Sequence, residues 1–272
     1  MMQLETITRQ PDAHAHQIPL LFVHGIVHGA WCWDEHFLPY FAQHDYHATA
    51  LSLRNHGASE KVAGWRWLSI RDYVADVAQV AQQIHTETGQ RPIVIGHSMG
   101  GLIVQKYLET YDAPAAILLA SCPSHGVWQT MLRTIIKQPL AFLETNLTLN
   151  LKALVNTTQR AKWAFFSDDM PDTTIERYRQ RFDDESYRVF LDMLLFALPK
   201  TQSIQTPLLV LAGADDTLFS VAEERSTAAS YHTDFRSFEG MAHDMMLEKD
   251  WQAVADAIIG WLEANGYTKN AP

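Results

Sequence analysis

The segment that most constrains this chain runs from Arg91 to Ile103 and reads as a short apolar strand, a Gly-x-Ser-x-Gly turn and the start of a helix. The turn is Gly96-His97-Ser98-Met99-Gly100. A serine on such a tight turn has a strained backbone, and a Cβ at position 96 or 100 would collide with the crossing chain. Because a serine hydroxyl needs this exposed placement and a neighbouring base to attack a substrate, the pattern predicts that Ser98 is a catalytic nucleophile.

Short apolar runs alternate with helical patterns along most of the chain, which is typical of a parallel sheet with crossover helices. Unalternated β-branched runs indicate strands that are buried on both faces. The predicted strands are Ile18–His24, His47–Leu53, Pro92–Gly96, Ala115–Ala120, Pro207–Ala212 and Asp234–Phe238. The predicted helices are Trp33–Gln43, Ser69–Thr88, Leu102–Tyr111 and Asp250–Asn265. The sequence therefore predicts an α/β fold with a mostly parallel central sheet and helices on both faces.

The alternation stops between Cys122 and about Ser203, where the pattern is helical throughout. We expect residues 122–203 to form a helical lid, or cap, inserted into a core made of residues 1–121 and 204–272. The insertion follows the strand after the nucleophile helix. Since ligands of parallel α/β sheets bind beyond the carboxyl ends of the strands, the lid should lie over Ser98.

The composition limits the partners of the chain. Its formal net charge is −10, which argues against nucleic acid or an anionic membrane as the main partner. The first 17 residues contain no apolar signal-peptide core, and no apolar run is long enough to span a bilayer, so a cytoplasmic location is expected. Cys32 and Cys122 are too few for a disulfide framework and match no metal-site spacing, so both are expected to be buried thiols. No cofactor and no metal are predicted, and the sequence does not indicate an oligomeric state.

A serine nucleophile needs a base, and the base needs an acid that orients it. Among 13 histidines, His243 is distinguished by its place between the last predicted strand and the last helix, where a loop reaches the carboxyl edge of the sheet. The acid should leave the preceding strand at the same edge, where Asp215 and Asp216 are neighbours. Asp216 is preferred because the apolar pair Leu218 and Phe219 follows it and can anchor the loop on the core.

The oxyanion that develops during acyl transfer needs two N–H donors. Met99 provides one at the start of its helix, where the donors have no intrahelical partner. The loop after the first long strand provides the other, with Ile26 as the donor and Gly25 as the residue that lets the backbone approach the substrate. His24 and His28 lie four apart in a loop without a third ligand, so a structural role is favoured over metal binding.

These residues resemble the α/β-hydrolase superfamily over nearly the whole chain outside the lid. The matching blocks are His24-Gly25 with His28-Gly-Ala-Trp31, Leu53-Arg-Asn-His-Gly57-Ala-Ser59, the turn at Ser98, Gly213-x-x-Asp216, and His243 with Glu248. In that superfamily the acid three residues after the glycine belongs to the catalytic triad, which supports Asp216. The resemblance implies a serine esterase or lipase-like enzyme, since haloalkane dehalogenases and epoxide hydrolases need a carboxylate where this chain has Ser98.

Several reactions remain open within this resemblance. The loop from His24 to Trp31 is similar to that of plant hydroxynitrile lyases and their methylesterase relatives, but the lyases carry threonine in place of Gly25 and lysine in place of Asp244. Both differences favour ester hydrolysis. Thioesterases, C–C bond hydrolases and perhydrolases share the triad, and a ligand receptor with an intact triad is a further alternative.

The expected substrate is an uncharged, hydrophobic small-molecule ester, because the lid is rich in large apolar side chains and no cluster of Arg or Lys interrupts them. Trp128 and Phe166 are expected among the lid residues that line the substrate pocket.

Overall fold

The structure is a computed structural model, and it describes residues 2–11 and 18–267. Within these residues, seven strands form one sheet in the order β1-β3-β2-β4-β5-β6-β7. β1 is antiparallel to β3, and the other neighbouring strands are parallel. The strands are β1 (Thr6–Arg9), β2 (Leu20–Val23), β3 (Ala48–Leu51), β4 (Ile93–His97), β5 (Ala116–Leu119), β6 (Leu208–Gly213) and β7 (Asp234–Phe238).

Alternate residues of each central strand pack into two separate cores. In β2, Leu20 and Phe22 face one core, and Leu21 and Val23 face the other. One face of the sheet is covered by α1 (Trp31–Asp34), α2 (Phe37–Gln43) and α11 (Trp251–Ala264), and the other by α3 (Ile70–Thr88), α4 (Met99–Tyr107) and α10 (Val221–Ser230). The predicted architecture, a mostly parallel sheet with helices on both faces, is confirmed.

The differences from the predicted elements have local causes. β1 was not predicted because it is a polar, largely exposed edge strand that joins the sheet through its backbone, so its residues carry no apolar pattern. α4 begins at Met99, three residues before the predicted start, because Gly100 and Gly101 are part of the helix. α10 was also missed. It is capped by Ser220 through a capping box with Glu223, but its sequence has little apolar periodicity.

Between β5 and β6 the chain is helical, as predicted. This helical segment, residues 122–203, contains α5 (Trp128–Lys137), α6 (Pro139–Thr148), α7 (Thr158–Phe165), α8 (Asp172–Arg179) and α9 (Tyr187–Leu191), which continues as a π-helical turn over Asp192–Phe196. It joins the core at buried polar contacts. Glu248, for example, accepts hydrogen bonds from the amide and hydroxyl of Ser167 at 2.6 and 2.7 Å.

Cys32 and Cys122 are both buried and unpaired, and burial raises the pKa of each thiol. In the described parts of the chain, no helix has the length and apolar character needed to cross a bilayer.

Candidate active site

Ser98 lies between β4 and α4 in a backbone conformation that L-residues rarely adopt, with φ of 53° and ψ of −121°. β5 and the loop after it hold Ser98 there, since its amide donates to the Leu119 carbonyl at 3.2 Å and its carbonyl accepts from the Cys122 amide at 2.9 Å. A Cβ at Gly96 would collide with the Gly100 carbonyl, and one at Gly100 would collide with the Val23 carbonyl. The strained turn that the sequence predicts is therefore present, and both flanking glycines are required by close backbone contacts.

His243 and Asp216 meet at the carboxyl edge of the sheet. His243 Nδ1 lies 2.7 Å from Asp216 Oδ2, and both side chains are almost completely buried. The other carboxylate oxygen of Asp216 accepts from the amides of Leu218 and Phe219 at 2.7 and 3.0 Å. The neighbouring Asp215 is exposed, so the structure brings Asp216 and not Asp215 to the histidine.

The remaining ring nitrogen of His243, Nε2, is buried and has no hydrogen-bond partner within residues 2–11 and 18–267. The ring is packed between Phe165 and Phe219, whose centroids lie 5.8 and 5.2 Å away. Burial disfavours the imidazolium, but the Asp216 carboxylate outweighs it, and the pKa of His243 is raised. His243 is thus oriented by an acid on one side and has a free nitrogen for proton transfer on the other.

The predicted oxyanion-hole residues lie beside Ser98. Ile26 lines the same cavity as Ser98, and Met99 is the first residue of α4, so its amide has no intrahelical acceptor. A Cβ on Gly25 would lie 2.9 Å from Ser98 Cβ and 2.9 Å from His97 Nδ1. Only glycine therefore allows this loop to approach the serine so closely.

The loop histidines are engaged in holding the backbone. His24 Nδ1 donates to the Gly25 carbonyl at 2.8 Å, and its Nε2 accepts from the Leu53 amide at 3.0 Å. His28 Nδ1 contacts the Ile26 carbonyl at 2.7 Å. Burial lowers the pKa values of His24 and His97 well below the ordinary histidine value, so both are neutral.

One group of potential metal ligands, His97, His243 and Asp244, is found in the described part of the chain. His97 Nε2 already donates to the His243 carbonyl at 3.0 Å, and His243 Nδ1 is bound to Asp216. Both histidines of the group therefore already have protein partners, and His97 holds the backbone of His243.

A cavity of ≈ 70 Å³ adjoins Ser98. None of its lining residues carries a charge. The apolar ones include Ile26, Met131, Phe142, Leu154, Phe190 and Phe219, and Thr130, Thr134 and Thr145 add hydroxyl groups. Most of the lining belongs to the helical segment, which therefore lies over Ser98.

Two residues expected in the pocket are not among those that line it. Trp128 is 50% exposed, because it lies on the outer face of α5. Phe166 is buried against the Tyr178 ring, 5.9 Å away between centroids. The helical period could have excluded Trp128 from the pocket. Thr130, Met131 and Thr134 follow Val127 at three, four and seven positions, so these four residues share one face of the helix, and Trp128 lies off that face. Phe219 lies outside the lid altogether, on the loop after Asp216.

The model of the family described as "Serine aminopeptidase, S33" matches residues 14–250. Among curated proteins, "Probable esterase PIR7A" of Oryza sativa subsp. indica is 34% identical over 113 residues, which cover 39% of this chain and 40% of the rice protein. The chain thus spans less than half of that relative's length. "Non-heme haloperoxidase" of Rhodococcus erythropolis is 24% identical over 247 residues, which cover 84% of this chain and 86% of that protein.

Among solved structures, the monoacylglycerol lipase of Paleococcus ferrophilus is similar, with a TM-score of 0.72 and 18% identity. The match covers 96% of this chain and 98% of the lipase. At this identity the likeness establishes the fold.

Proposed function

Since this chain belongs to the α/β-hydrolase family described as "Serine aminopeptidase, S33", we propose that it is a serine hydrolase that cleaves an uncharged, hydrophobic carboxylic ester through an acyl-enzyme. The observation that carries the proposal is the buried hydrogen bond of 2.7 Å between His243 and Asp216 at the edge of the sheet where Ser98 lines an apolar cavity.

Each residue has a defined role in the proposed reaction. Ser98 Oγ attacks the ester carbonyl while His243 Nε2 takes its proton, and Asp216 holds the ring and stabilises the imidazolium. The amides of Ile26 and Met99 donate to the oxyanion. The tetrahedral intermediate collapses, the alcohol leaves with the proton from His243, and the acyl group stays on Ser98. Water, activated by His243, then releases the carboxylic acid and restores the serine.

The cavity supports the proposed substrate class. Its lining is apolar and uncharged, so a charged acyl group would lose hydration without gaining a partner. Its volume of ≈ 70 Å³ is below the roughly 150 Å³ of a protein cavity that holds benzene. A short acyl chain of a few carbons fits this size. In this proposal the helical segment, residues 122–203, acts as the lid over a core of residues 1–121 and 204–272.

The proposal is tested with p-nitrophenyl esters of increasing acyl length, with a thioester and a cyanohydrin as alternative substrates. The wild-type protein should turn over the esters many times, with kcat/KM rising from acetyl to an acyl chain of a few carbons and falling for longer chains. Ser98→Ala should keep the fold and lose turnover, and a serine-directed phosphonate should label Ser98 alone.

Three outcomes would refute the proposed function. Turnover by Ser98→Ala near the wild-type rate would exclude the serine mechanism. Faster turnover of the cyanohydrin than of every ester would instead indicate a lyase, although Gly25 and Asp244 differ from the lyase pattern. Release of a single equivalent of product would indicate a receptor.

A further inference from the structure

We propose that Glu185, a buried carboxylate of the helical segment, is a positioning residue that holds the oxyanion-hole loop in its productive conformation through the amide of Val27. The inference rests on the proposed function, because it assigns a role in stabilising the oxyanion to a residue that does not touch the substrate.

Val27 has an unusual backbone. Its φ is 59°, in the left-handed region, where a β-branched residue is strongly disfavoured. Both of its backbone groups are bound by the helical segment. The Val27 amide donates to Glu185 Oε2 at 3.2 Å, and its carbonyl accepts from the Asp183 amide at 2.8 Å. The strained conformation therefore depends on residues contributed by the lid.

Glu185 is completely buried and accepts from four donors. Oε2 accepts from Val27 and from His56 Nε2, the latter at 3.0 Å. Oε1 accepts from the Tyr73 hydroxyl at 2.9 Å and the Ser186 amide at 2.8 Å. The carboxylate thus joins the oxyanion-hole loop, the loop after β3 and helix α3 to the lid.

The partner His56 makes this carboxylate an anion. His56 Nδ1 contacts the Arg54 carbonyl at 3.0 Å, an oxygen that can only accept, so this nitrogen carries a proton. With Nε2 directed at Glu185, a doubly protonated ring satisfies both contacts. Burial disfavours both the imidazolium of His56 and the carboxylate of Glu185, but the two opposite charges stabilise each other. The pKa of His56 is therefore raised and the pKa of Glu185 is lowered.

The adjacent residue, Ile26, carries the second proposed oxyanion donor. Its carbonyl is bound by His28 at 2.7 Å, and the peptide that follows it is fixed by the left-handed Val27. If the Val27 amide loses its acceptor, the residue can relax towards negative φ. This rotation reorients the Ile26–Val27 peptide, and the movement of the Ile26 Cα that goes with it displaces the Ile26 amide, the proposed donor, from its place beside Ser98. Oxyanion donors must lie within about 2.7–3.1 Å of the developing charge, so a small rotation is sufficient to weaken the hole.

The decisive variant is Glu185→Gln. Without the negative charge, His56 keeps its proton on Nδ1, which faces the Arg54 carbonyl, and its Nε2 becomes an acceptor. The amide nitrogen of the new side chain then faces His56 Nε2 and the Val27 amide, so Val27 loses its acceptor, while the amide oxygen accepts from Tyr73 and Ser186. Removal of one oxyanion donor costs about 10²–10³-fold in kcat, and a displaced donor should cost about 10–10²-fold. KM should change by less than about threefold, because the apolar cavity is unaltered.

Two inhibitors separate the proposed role from general damage. A trifluoromethyl ketone forms an oxyanion adduct with Ser98, and its affinity should fall in parallel with kcat. An uncharged amide with the same acyl chain occupies the cavity without forming an oxyanion, and its affinity should be retained. A loss of both affinities together would contradict the proposed role and indicate a disrupted pocket.

The matched control is Asp192→Asn. Asp192 is another buried carboxylate of the helical segment. It accepts from the Ile70 amide at 2.9 Å and from Arg188 Nε at 2.7 Å, and neither partner belongs to the oxyanion-hole loop. This variant should lower the melting temperature without the selective loss of kcat.

A second-site variant tests the mechanism directly. Glycine adopts a left-handed φ without strain, so Val27→Gly should restore part of the kcat lost in Glu185→Gln. Val27→Ala in the same background also shortens the side chain but keeps a Cβ, which disfavours a left-handed φ. This variant should therefore not restore kcat.

Failure of the inference and failure of the proposed function give different results. A wild-type protein that neither hydrolyses esters nor reacts with the phosphonate overturns both. If the wild type is active and folded Glu185→Gln has an unchanged kcat, the inference alone is overturned. Equal restoration of kcat by Val27→Gly and Val27→Ala would also overturn it. If Glu185→Gln does not fold, Glu185→Asp keeps the negative charge but shortens the side chain by one methylene, which withdraws the carboxylate from the Val27 amide. The same selective loss of kcat is then expected, and its absence overturns the inference.

Discussion

Replacing Asp216 with asparagine tests the orientation of His243, the proposed catalytic base, with little change in the shape of the side chain. In the structure, Asp216 Oδ1 accepts from the two amides of Leu218 and Phe219, while Oδ2 faces His243 Nδ1 at 2.7 Å. Asparagine has one oxygen, and the two positions compete for it. The orientation it chooses determines which histidine nitrogen carries the proton.

The expected loss in kcat follows from the number of hydrogen-bond donors that face each oxygen of Asp216. With the amide nitrogen against Leu218 and Phe219, two N–H groups lose their acceptor, at about 1–3 kcal/mol each. With the oxygen there, both are satisfied and the NH₂ group faces His243, which must then accept at Nδ1 and carry its proton on Nε2. In that tautomer Nε2 cannot take the proton of Ser98. The expected loss in kcat is about 10⁴-fold, as for the same change in a serine protease triad, or roughly 5 kcal/mol.

The assay is steady-state hydrolysis of the preferred p-nitrophenyl ester by Asp216→Asn, with Asp215→Asn as the matched control. Asp215 is exposed, so its variant should stay within about threefold of the wild type. Thermal unfolding of both variants checks that the fold is intact. If Asp216→Asn loses less than tenfold while Asp215→Asn loses the larger factor, the geometric argument is wrong.

Three further predictions concern the pH dependence and the cavity. His243 must be neutral to act as a base, so kcat/KM should rise with pH through a pKa above the ordinary value of 6.5, and a flat profile would contradict this role. Because the pKa of His56 is raised in the folded state, its stabilising contribution is complete below about 6.5 and is lost as the pH rises through the folded value. The free energy of unfolding should therefore fall as the pH rises from about 6.5 to the folded pKa of His56, and it should fall less steeply in His56→Gln. The same pH dependence in both proteins would count against a charged His56. Phe190→Ala enlarges the cavity, so the enzyme should prefer a longer acyl chain. Each methylene that is newly buried should raise kcat/KM by at most about fourfold, which corresponds to about 0.8 kcal/mol. An unchanged preference would place the acyl group elsewhere.

The sequence by itself determined the central strands, the helices around them and the turn at Ser98. These features are local, because a buried parallel strand needs a continuous apolar run and a tight strand-to-helix turn needs glycine at defined positions. Asp216 and His243 could also be selected from the sequence, since each follows a predicted strand and loops after parallel strands converge at one edge. Their proposed catalytic roles remain predictions for the variants above.

The tertiary structure decided what local patterns do not encode. Trp128 and Phe166 are large and apolar like the true lining residues, and only the docking of the helices places Met131 and Phe190 at the cavity instead. Likewise, Glu185 has the sequence character of a surface residue in a charged run. Its contact with Val27 joins residues 158 positions apart, and a buried carboxylate is stable there only because the completed fold surrounds it with four donors.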